Sequence, residues 1–192
     1  CIHSVKLFYG KLDRSYLWHQ LLEESDDVLD QFFSTLSLCE TPFAPEESSR
    51  LVELGEKNPT IMNGIVFFLK DIGDSSASDF MIRAYNESEE NQLWVLVYLS
   101  RIPSKDAAQL LCKVIQQSND SSEVVLAAIA LSRLQVESVI DLILEKVFDS
   151  YEWVQVIAKG YLEECLQKEK SIKRQKKLRQ VLKKLPKEEI YS

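Results

Sequence analysis

The sequence predicts an all-α protein in which helix pairs stack into a solenoid, and three observations lead to this prediction. The 192-residue chain is 45% hydrophobic, so it can bury a sizeable core. It contains only five Gly and five Pro, too few for a β-fold with many tight turns. An apolar motif also recurs at intervals of 30 to 33 residues, which indicates supersecondary units that bury their apolar faces against one another.

The recurring motif is Leu-x-x-(Ile, Leu or Cys), and each copy is expected near the end of a helix. Its clear copies begin at Leu69, Leu99, Leu131 and Leu162, and a fainter copy begins at Leu36. The residue four positions before each clear copy is also apolar: Ile65, Val95, Ala127 and Ala158. Because residues four apart lie on one face of a helix, the motif extends an apolar stripe that faces the core.

A second amphipathic stretch precedes each motif, so each repeat is predicted to be a helix pair. The first helices are expected at about residues 46–57, 76–86, 104–117 and 136–148, and an N-terminal pair at about 13–23 and 26–38. Asn58 followed by Pro59 predicts a helix start. Asp120 and Asp149 are each followed by a Glu three residues later, which predicts capped starts for the last two second helices.

Repeats of this length, with an Asp at the turn and a second helix rich in Val and Ala, resemble HEAT and armadillo-type repeats. The resemblance is one of architecture, and it covers residues 45–167 and extends more weakly to 11–40. It implies a right-handed α-α superhelix of four to five helix hairpins. In this interpretation residues 1–192 form a single solenoid domain, 11–40 are its first helix pair, and 168–192 form a basic capping helix.

The chain departs from the HEAT pattern in one place. HEAT units usually carry an Arg after a Val early in the second helix, where it joins an Asp ladder between repeats. Here the corresponding positions read Val124-Val125 and Val154-Gln155. We therefore expect the ladder to be absent and the repeats to form a divergent, HEAT-like class.

The resemblance also implies a binding function. Second helices of HEAT-like units line a concave face, on which a scaffold or adaptor would hold a partner protein or peptide. Some of these helices are apolar nearly all round, which predicts either complete covering or an apolar groove. Arg101 and Arg133 recur 32 residues apart and either suit an acidic partner or stabilise helix ends. The candidate partner-binding residues are Lys70, Arg101, Arg133, Tyr151, Trp153 and Lys159.

Two tryptophans in the repeats receive different predictions. Trp153 aligns with residues that are small or polar in the other repeats: Thr60, Glu90 and Ser122. We expect it to be exposed beside Tyr151 and to anchor a partner, with packing against the preceding loop as the alternative. Trp94 aligns with Gly64, Leu126 and Ile157, so it is expected to pack in the interior.

The net charge of −7 is unevenly distributed along the chain. Residues 1–167 carry thirteen Lys/Arg against twenty-seven Asp/Glu, a charge that repels nucleic acid, whereas 168–192 carry ten against three. The tail is predicted to be a basic amphipathic helix ended by Pro186, with apolar residues Ile172, Leu178, Val181, Leu182 and Leu185. It either caps the last repeat or contacts an acidic partner, anionic lipid or RNA through Lys176, Lys177, Lys183 and Lys184.

Catalytic and metal-binding motifs are not found in the sequence. It has no GxSxG, P-loop, GxGxxG or HExxH motif, its two histidines lie at His3 and His19, and its cysteines form no CxxC pair. We therefore predict no catalytic, cofactor-binding or metal-binding residues and no cofactor. The alternative is an enzyme on a HEAT-like scaffold, either similar to bilin lyases or acting on nucleic acid.

The cysteines bear on localisation. Cys39, Cys112 and Cys165 are expected to be small core hydrophobes, and buried free thiols favour a reducing, cytoplasmic location. Cys1 suggests an alternative, because processing of a bacterial lipoprotein leaves a lipid-modified Cys at the first position. The protein would then be a membrane-anchored envelope lipoprotein with a binding role. A fragment boundary at Cys1 is the other interpretation.

Overall fold

The computed structural model describes residues 45–135 and 139–186. In these residues the backbone forms α-helices, single-turn 3-10 helices and loops, with no β-strand, so the predicted all-α class is confirmed. No described helix is both long enough and apolar enough to cross a bilayer. The predicted helix pair within 11–40 and the Cys1 lipid anchor lie outside the described residues.

Nine α-helices follow one another in the described residues. They are α1 (Pro45–Lys57), α2 (Met62–Ile72), α3 (Ser78–Glu87), α4 (Glu89–Arg101), α5 (Ala108–Gln117), α6 (Ser121–Arg133), α7 (Ile140–Lys146), α8 (Glu152–Lys168) and α9 (Ile172–Leu182). Single-turn 3-10 helices precede α2 at Pro59–Ile61 and α3 at Ser75–Ala77. Another, Val147–Asp149, lies between α7 and α8.

The repeated leucine motif lies where the sequence predicts, near the ends of α2, α4, α6 and α8. Leu69, Leu99 and Leu162 are fully buried, and Leu131 is only 3% exposed. Each of these helices therefore turns its motif toward the interior, as the spacing of three and four residues requires.

Two of the three predicted helix starts are confirmed. The Asn58 carboxamide accepts a hydrogen bond from the Thr60 N–H, and the Asp120 carboxylate accepts one from the Ser122 N–H at 2.6 Å. The predicted cap at Asp149 is wrong, because Asp149 ends the preceding 3-10 turn and Ser150 and Tyr151 continue in an extended conformation before α8 begins.

The chain divides into two compact units, Cys1–Phe80 and Met81–Ser192. In the described part of the first unit, α1 packs against α2 and against the turn Ser75–Ala77. Gly55 of α1 permits a close approach, since a Cβ atom there would lie 2.7 Å from the Phe80 ring. A side chain at this position would force the ring away from α1.

In the second unit, α6 is the central helix and packs against α4, α5, α7 and α8. Every residue from Val124 to Leu131 is at most 6% exposed. The sequence left open whether such an all-round apolar helix is covered or forms a groove. For α6 the neighbouring helices cover every side.

Helices α6 and α8 lie side by side and parallel, with the start of each beside the start of the other. At their starts the Tyr151 N–H donates to Ser122 Oγ at 2.9 Å. Toward their ends the Tyr161 hydroxyl donates to Ser132 Oγ, and Arg133 pairs with Glu164 at 3.0 Å. These contacts join residues 29, 29 and 31 positions apart, which is about one repeat of the sequence. Two successive second helices are therefore parallel and in register.

Helix α9 packs against α8 and is amphipathic. Leu178 and Leu185 are buried at 2% and 5% exposure, as expected for the apolar face of the tail. Ile172 does not follow that expectation, because it is 83% exposed at the first position of the helix. Ile172 and Leu178 are six residues apart, a rotation of about 240° around the helix, so Ile172 lies on the outer side.

Candidate functional site

Three aromatic side chains stack on one another at the starts of α4 and α8. The Trp153 ring lies between the other two, 5.7 Å from Trp94 and 6.4 Å from Tyr151 by ring centroids. The interplanar angles are 29° and 11°, so both contacts are stacked. We call Trp94, Tyr151 and Trp153 the aromatic stack.

The aromatic stack is open to solvent on the side of α8. Tyr151 is 55% exposed, Trp153 is 37% exposed, and Trp94 is half-buried beneath them. Phe148, in the turn before α8, is a further exposed aromatic at 42%. Exposed aromatic side chains that touch one another form a contiguous apolar patch, and such patches often mark interaction sites. Tryptophan and tyrosine are also enriched in the energetically dominant parts of interfaces.

Backbone and side-chain hydrogen bonds hold the segment that presents the stack. Ser150 Oγ donates to the Val147 carbonyl at 2.6 Å, and the Gln155 amide donates to the Ser150 carbonyl at 2.9 Å. The Tyr151 N–H is anchored on Ser122 of α6. The rings are therefore ordered before any partner arrives, which lowers the entropic cost of binding.

The segments around the aromatic stack are acidic. Residues 88–94 and 147–155 contain four carboxylates and no Lys or Arg. These carboxylates are Glu89, Glu90, Asp149 and Glu152, all exposed. Because Glu90 lies one turn before Trp94 and Glu152 lies between Tyr151 and Trp153, negative charge borders the rings on both helices.

A buried amide lies one turn before Trp94. Asn91 is 1% exposed, and neither atom of its carboxamide has a hydrogen-bond partner among the described residues. Asn91 thus places a polar donor and a polar acceptor in the interior of the protein next to the stack. Sequence reasoning did not single out Asn91.

The predicted candidates Tyr151 and Trp153 thus belong to one surface, as expected, but the expectation for Trp94 is only partly met. Trp94 is half-buried rather than interior, and its ring supports Trp153. Trp94 and Trp153 fall in different columns of the repeat, so the repeat pattern gives no signal that their rings meet.

Arg133 and Arg101 end the neighbouring helices α6 and α4. Arg133 pairs with Glu164 at 3.0 Å, and its guanidinium lies 5.3 Å from the centroid of the Tyr161 ring. Its charge is therefore partly matched within the protein. Arg101 is exposed at the last residue of α4.

Lys70 and Lys159, two further predicted contact residues, have internal partners. Lys70 pairs with Asp71, its Nζ lies 3.8 Å from the centroid of the Phe67 ring, and its side chain is only 10% exposed. Lys159 Nζ donates to the Pro186 carbonyl at 3.0 Å and ties α8 to the residues after α9. Both side chains stabilise local structure in the free protein.

The predicted tail lysines separate into two groups. Lys177 forms an ion pair with Asp141 of α7 at 2.7 Å, and this hydrogen bond and charge lower the pKa of the Asp141 carboxyl. Lys176, Lys183 and Lys184 are exposed. The tail therefore uses one of these four lysines to fasten α9 to α7.

The cysteines only partly follow the expectation of core positions. The prediction for Cys112 is wrong: its thiol is exposed, because Leu111 and Val114 occupy the inner face of α5 and Cys112 falls on the outer one. Cys165 is half-buried next to Tyr161, and burial raises the pKa of both side chains, that of Tyr161 to about 12. Cys39 lies outside the described residues.

Within the described residues no group of three or more His, Cys, Asp or Glu could hold a metal ion.

Comparison with known proteins adds no relative. No protein-family model matches this chain, and neither a curated protein nor a solved structure matches it. The geometry of the site and the composition of the surfaces around it are therefore the basis for a functional proposal.

Proposed function

We propose that this protein is a HEAT-like solenoid that serves as a scaffold or adaptor and binds a basic segment of a partner protein on the face formed by its second helices. The repeat contacts between α6 and α8 support the solenoid part of the proposal. They join residues 29 positions apart, within two of the 31-residue spacing between Leu131 and Leu162, as stacking of similar units predicts.

The exposed aromatic stack is the observation that carries the binding function. Tyr151 and Trp153 together present two large ring systems that are already ordered and already in contact. Rings of this kind bury much area while losing few side-chain rotamers, so they contribute strongly to affinity. Ordered, exposed rings increase the affinity for a partner, which is why the stack supports a binding function.

The charge around the stack defines the partner. Exposed carboxylates border the rings, and residues 88–94 and 147–155 supply no cation that could occupy the ring faces. An Arg or Lys side chain of a partner can lie over the Trp153 ring and pair with Glu152 in the same site. A cation over an aromatic ring contributes about 0.5–2 kcal/mol, more when water is excluded.

The test is binding of a short synthetic peptide with Arg at alternate positions, compared with a peptide in which each Arg is replaced by Glu. Isothermal titration and tryptophan fluorescence would follow binding to the intact chain. Trp153→Ala is expected to weaken binding of the Arg peptide by about 2 kcal/mol or more, roughly 30-fold, as for a central interface aromatic.

Phe67→Ala serves as the matched control, because Phe67 is an equally exposed aromatic outside the stack, at 47%. It should leave the affinity unchanged. Equal binding of the Arg and Glu peptides, or an equal loss in Phe67→Ala and Trp153→Ala, would refute the proposal. Circular dichroism of each variant establishes that the helices are retained.

A further inference from the structure

Helix α9 and the turn after it carry a row of cations on the side that faces away from α8. Residues 170–186 contain eight Lys or Arg and no Asp or Glu. Lys173, Lys176, Lys183 and Lys184 are exposed and make no ion pair with any described residue. Their spacings of three and seven residues place Lys173, Lys176 and Lys183 on one side of the helix. We call these four lysines the lysine face.

Two neighbouring cations of α9, Arg174 and Lys177, have structural roles because each forms an ion pair within the protein. Arg174 pairs with Glu169 at 3.7 Å, and Lys177 pairs with Asp141 at 2.7 Å. These two side chains fasten α9 to the preceding loop and to α7. Packing is completed by Leu178, buried at 2%. The lysine face takes no part in these contacts.

The charge at the start of α9 is opposite to what helix stability favours. The first turn contains no acidic residue, whereas Lys173 and Arg174 are its second and third residues after the Ser171 cap. The N-terminal end of a helix carries a partial positive charge, so cations there are unfavourable. A cleft of about 730 Å³ opens at this end, lined by Asp141, Ser171, Lys173, Arg174, Lys176, Lys177 and Gln180. Arg174 and Lys177 are paired with Glu169 and Asp141, so the excess positive charge of the cleft comes from Lys173 and Lys176.

An exposed apolar side chain accompanies these lysines. Ile172 is 83% exposed, the most exposed large apolar residue in the described chain. It lies directly before Lys173 and one turn before Lys176. A cationic surface with an apolar residue at its border matches the headgroup and acyl boundary of an anionic bilayer, where lysine stems extend along lipid and their charges reach the phosphates.

We propose that the lysine face and Ile172 dock the protein on an anionic membrane surface. Lipid is favoured over RNA because residues 168–186 contain no aromatic side chain for base stacking, and because four of the five exposed unpaired cations of α9 and its following turn are lysines. The acidic remainder of the chain is repelled by such a surface, so docking orients the molecule with α9 toward the bilayer.

The experiment is flotation of the intact chain with vesicles of equimolar phosphatidylcholine and phosphatidylserine, and with pure phosphatidylcholine vesicles. Binding is expected only to the anionic vesicles, and high salt should abolish it. Lys173→Gln with Lys176→Gln should lower partitioning about 25-fold, since each lysine near an anionic surface contributes about fivefold. Lys105→Gln with Lys113→Gln removes the same charge from exposed sites elsewhere and should change it little.

Ile172→Ser tests the lipid specifically, because it keeps the charge and removes the apolar side chain. It should lower vesicle binding severalfold. Unchanged binding of Ile172→Ser, an equal loss in the two lysine pairs, or preferential binding of single-stranded RNA or of a poly-glutamate peptide over the vesicles would overturn the proposal. Trp153→Ala should bind vesicles normally, so a failure of the aromatic site and a failure of the lysine face remain distinguishable.

Discussion

Helices α6 and α8 share the leucine motif and have different surroundings. Both carry two Val residues in their first half and the leucine motif toward their end, yet α6 is buried on all sides while α8 is buried along one face only. The buried residues of α8, Val154, Ala158, Tyr161 and Leu162, follow helical spacing. The other face of α8 carries exposed Glu163 and Glu164. The comparison shows that an apolar helix becomes core or surface according to how many helices pack on it.

The starts of the two helices differ in the same way. Helix α6 begins with the Asp120 cap and two serines, and Ser122 is 2% exposed. Helix α8 begins with Tyr151 and Trp153, which lie outside. Helices α4 and α8 both pack on α6, and Trp94 of α4 stacks on Trp153 of α8. The aromatic stack thus joins two helices that are both neighbours of α6.

The largest effect is expected for core truncation in α6. Leu126 and Ile157 occupy equivalent repeat positions, but Leu126 is fully buried and Ile157 is half-buried. Leu126→Ala should lower the free energy of unfolding by about 2–5 kcal/mol through lost burial and the cavity left behind. Ile157→Ala should cost about 1 kcal/mol. Urea denaturation measures both, and equal losses would mean that the two helices are equally enclosed.

An intermediate effect is expected at high pH from the contact between α8 and α6. Burial raises the pKa of Tyr161 to about 12 in the folded protein, above the unfolded value near 10. The stability that this preference contributes is complete below pH 10 and is lost as the pH rises toward 12. Tyr161→Phe should show a shallower fall in unfolding free energy over that range. An identical pH profile for both proteins would place the Tyr161 ring in water.

The smallest effect is expected for the ion pair between Arg133 and Glu164. Both side chains are partly exposed, at 31% and 49%, so a double-mutant cycle with Arg133→Gln and Glu164→Gln should give a coupling of about 0.2–1 kcal/mol. The coupling should shrink at high salt. A coupling that is large and insensitive to salt would show that the ends of α6 and α8 are enclosed by further structure.

Much of the candidate site could be predicted from residue type and repeat position. Tyr151 and Trp153 stood out because large aromatic residues occupy positions that are small or polar elsewhere in the repeats. The aligned residues of Trp94 are mostly apolar and predict an interior position, but an alignment does not show which ring Trp94 contacts. The prediction for Cys112 is wrong because apolar neighbours in the sequence do not specify the rotation of a helix.

The sequence by itself determined that the protein is helical, where most helices begin and end, which leucines are buried, and that the tail is a basic amphipathic helix. These features depend on local spacing, capping and charge. Tertiary structure alone decided that α6 is enclosed and that Trp94 meets Trp153. It also decided that Arg133, Lys159 and Lys177 have internal partners, while the lysine face has none among the described residues. Such outcomes depend on contacts between residues about 30 or more positions apart, whose geometry only the packed helices establish.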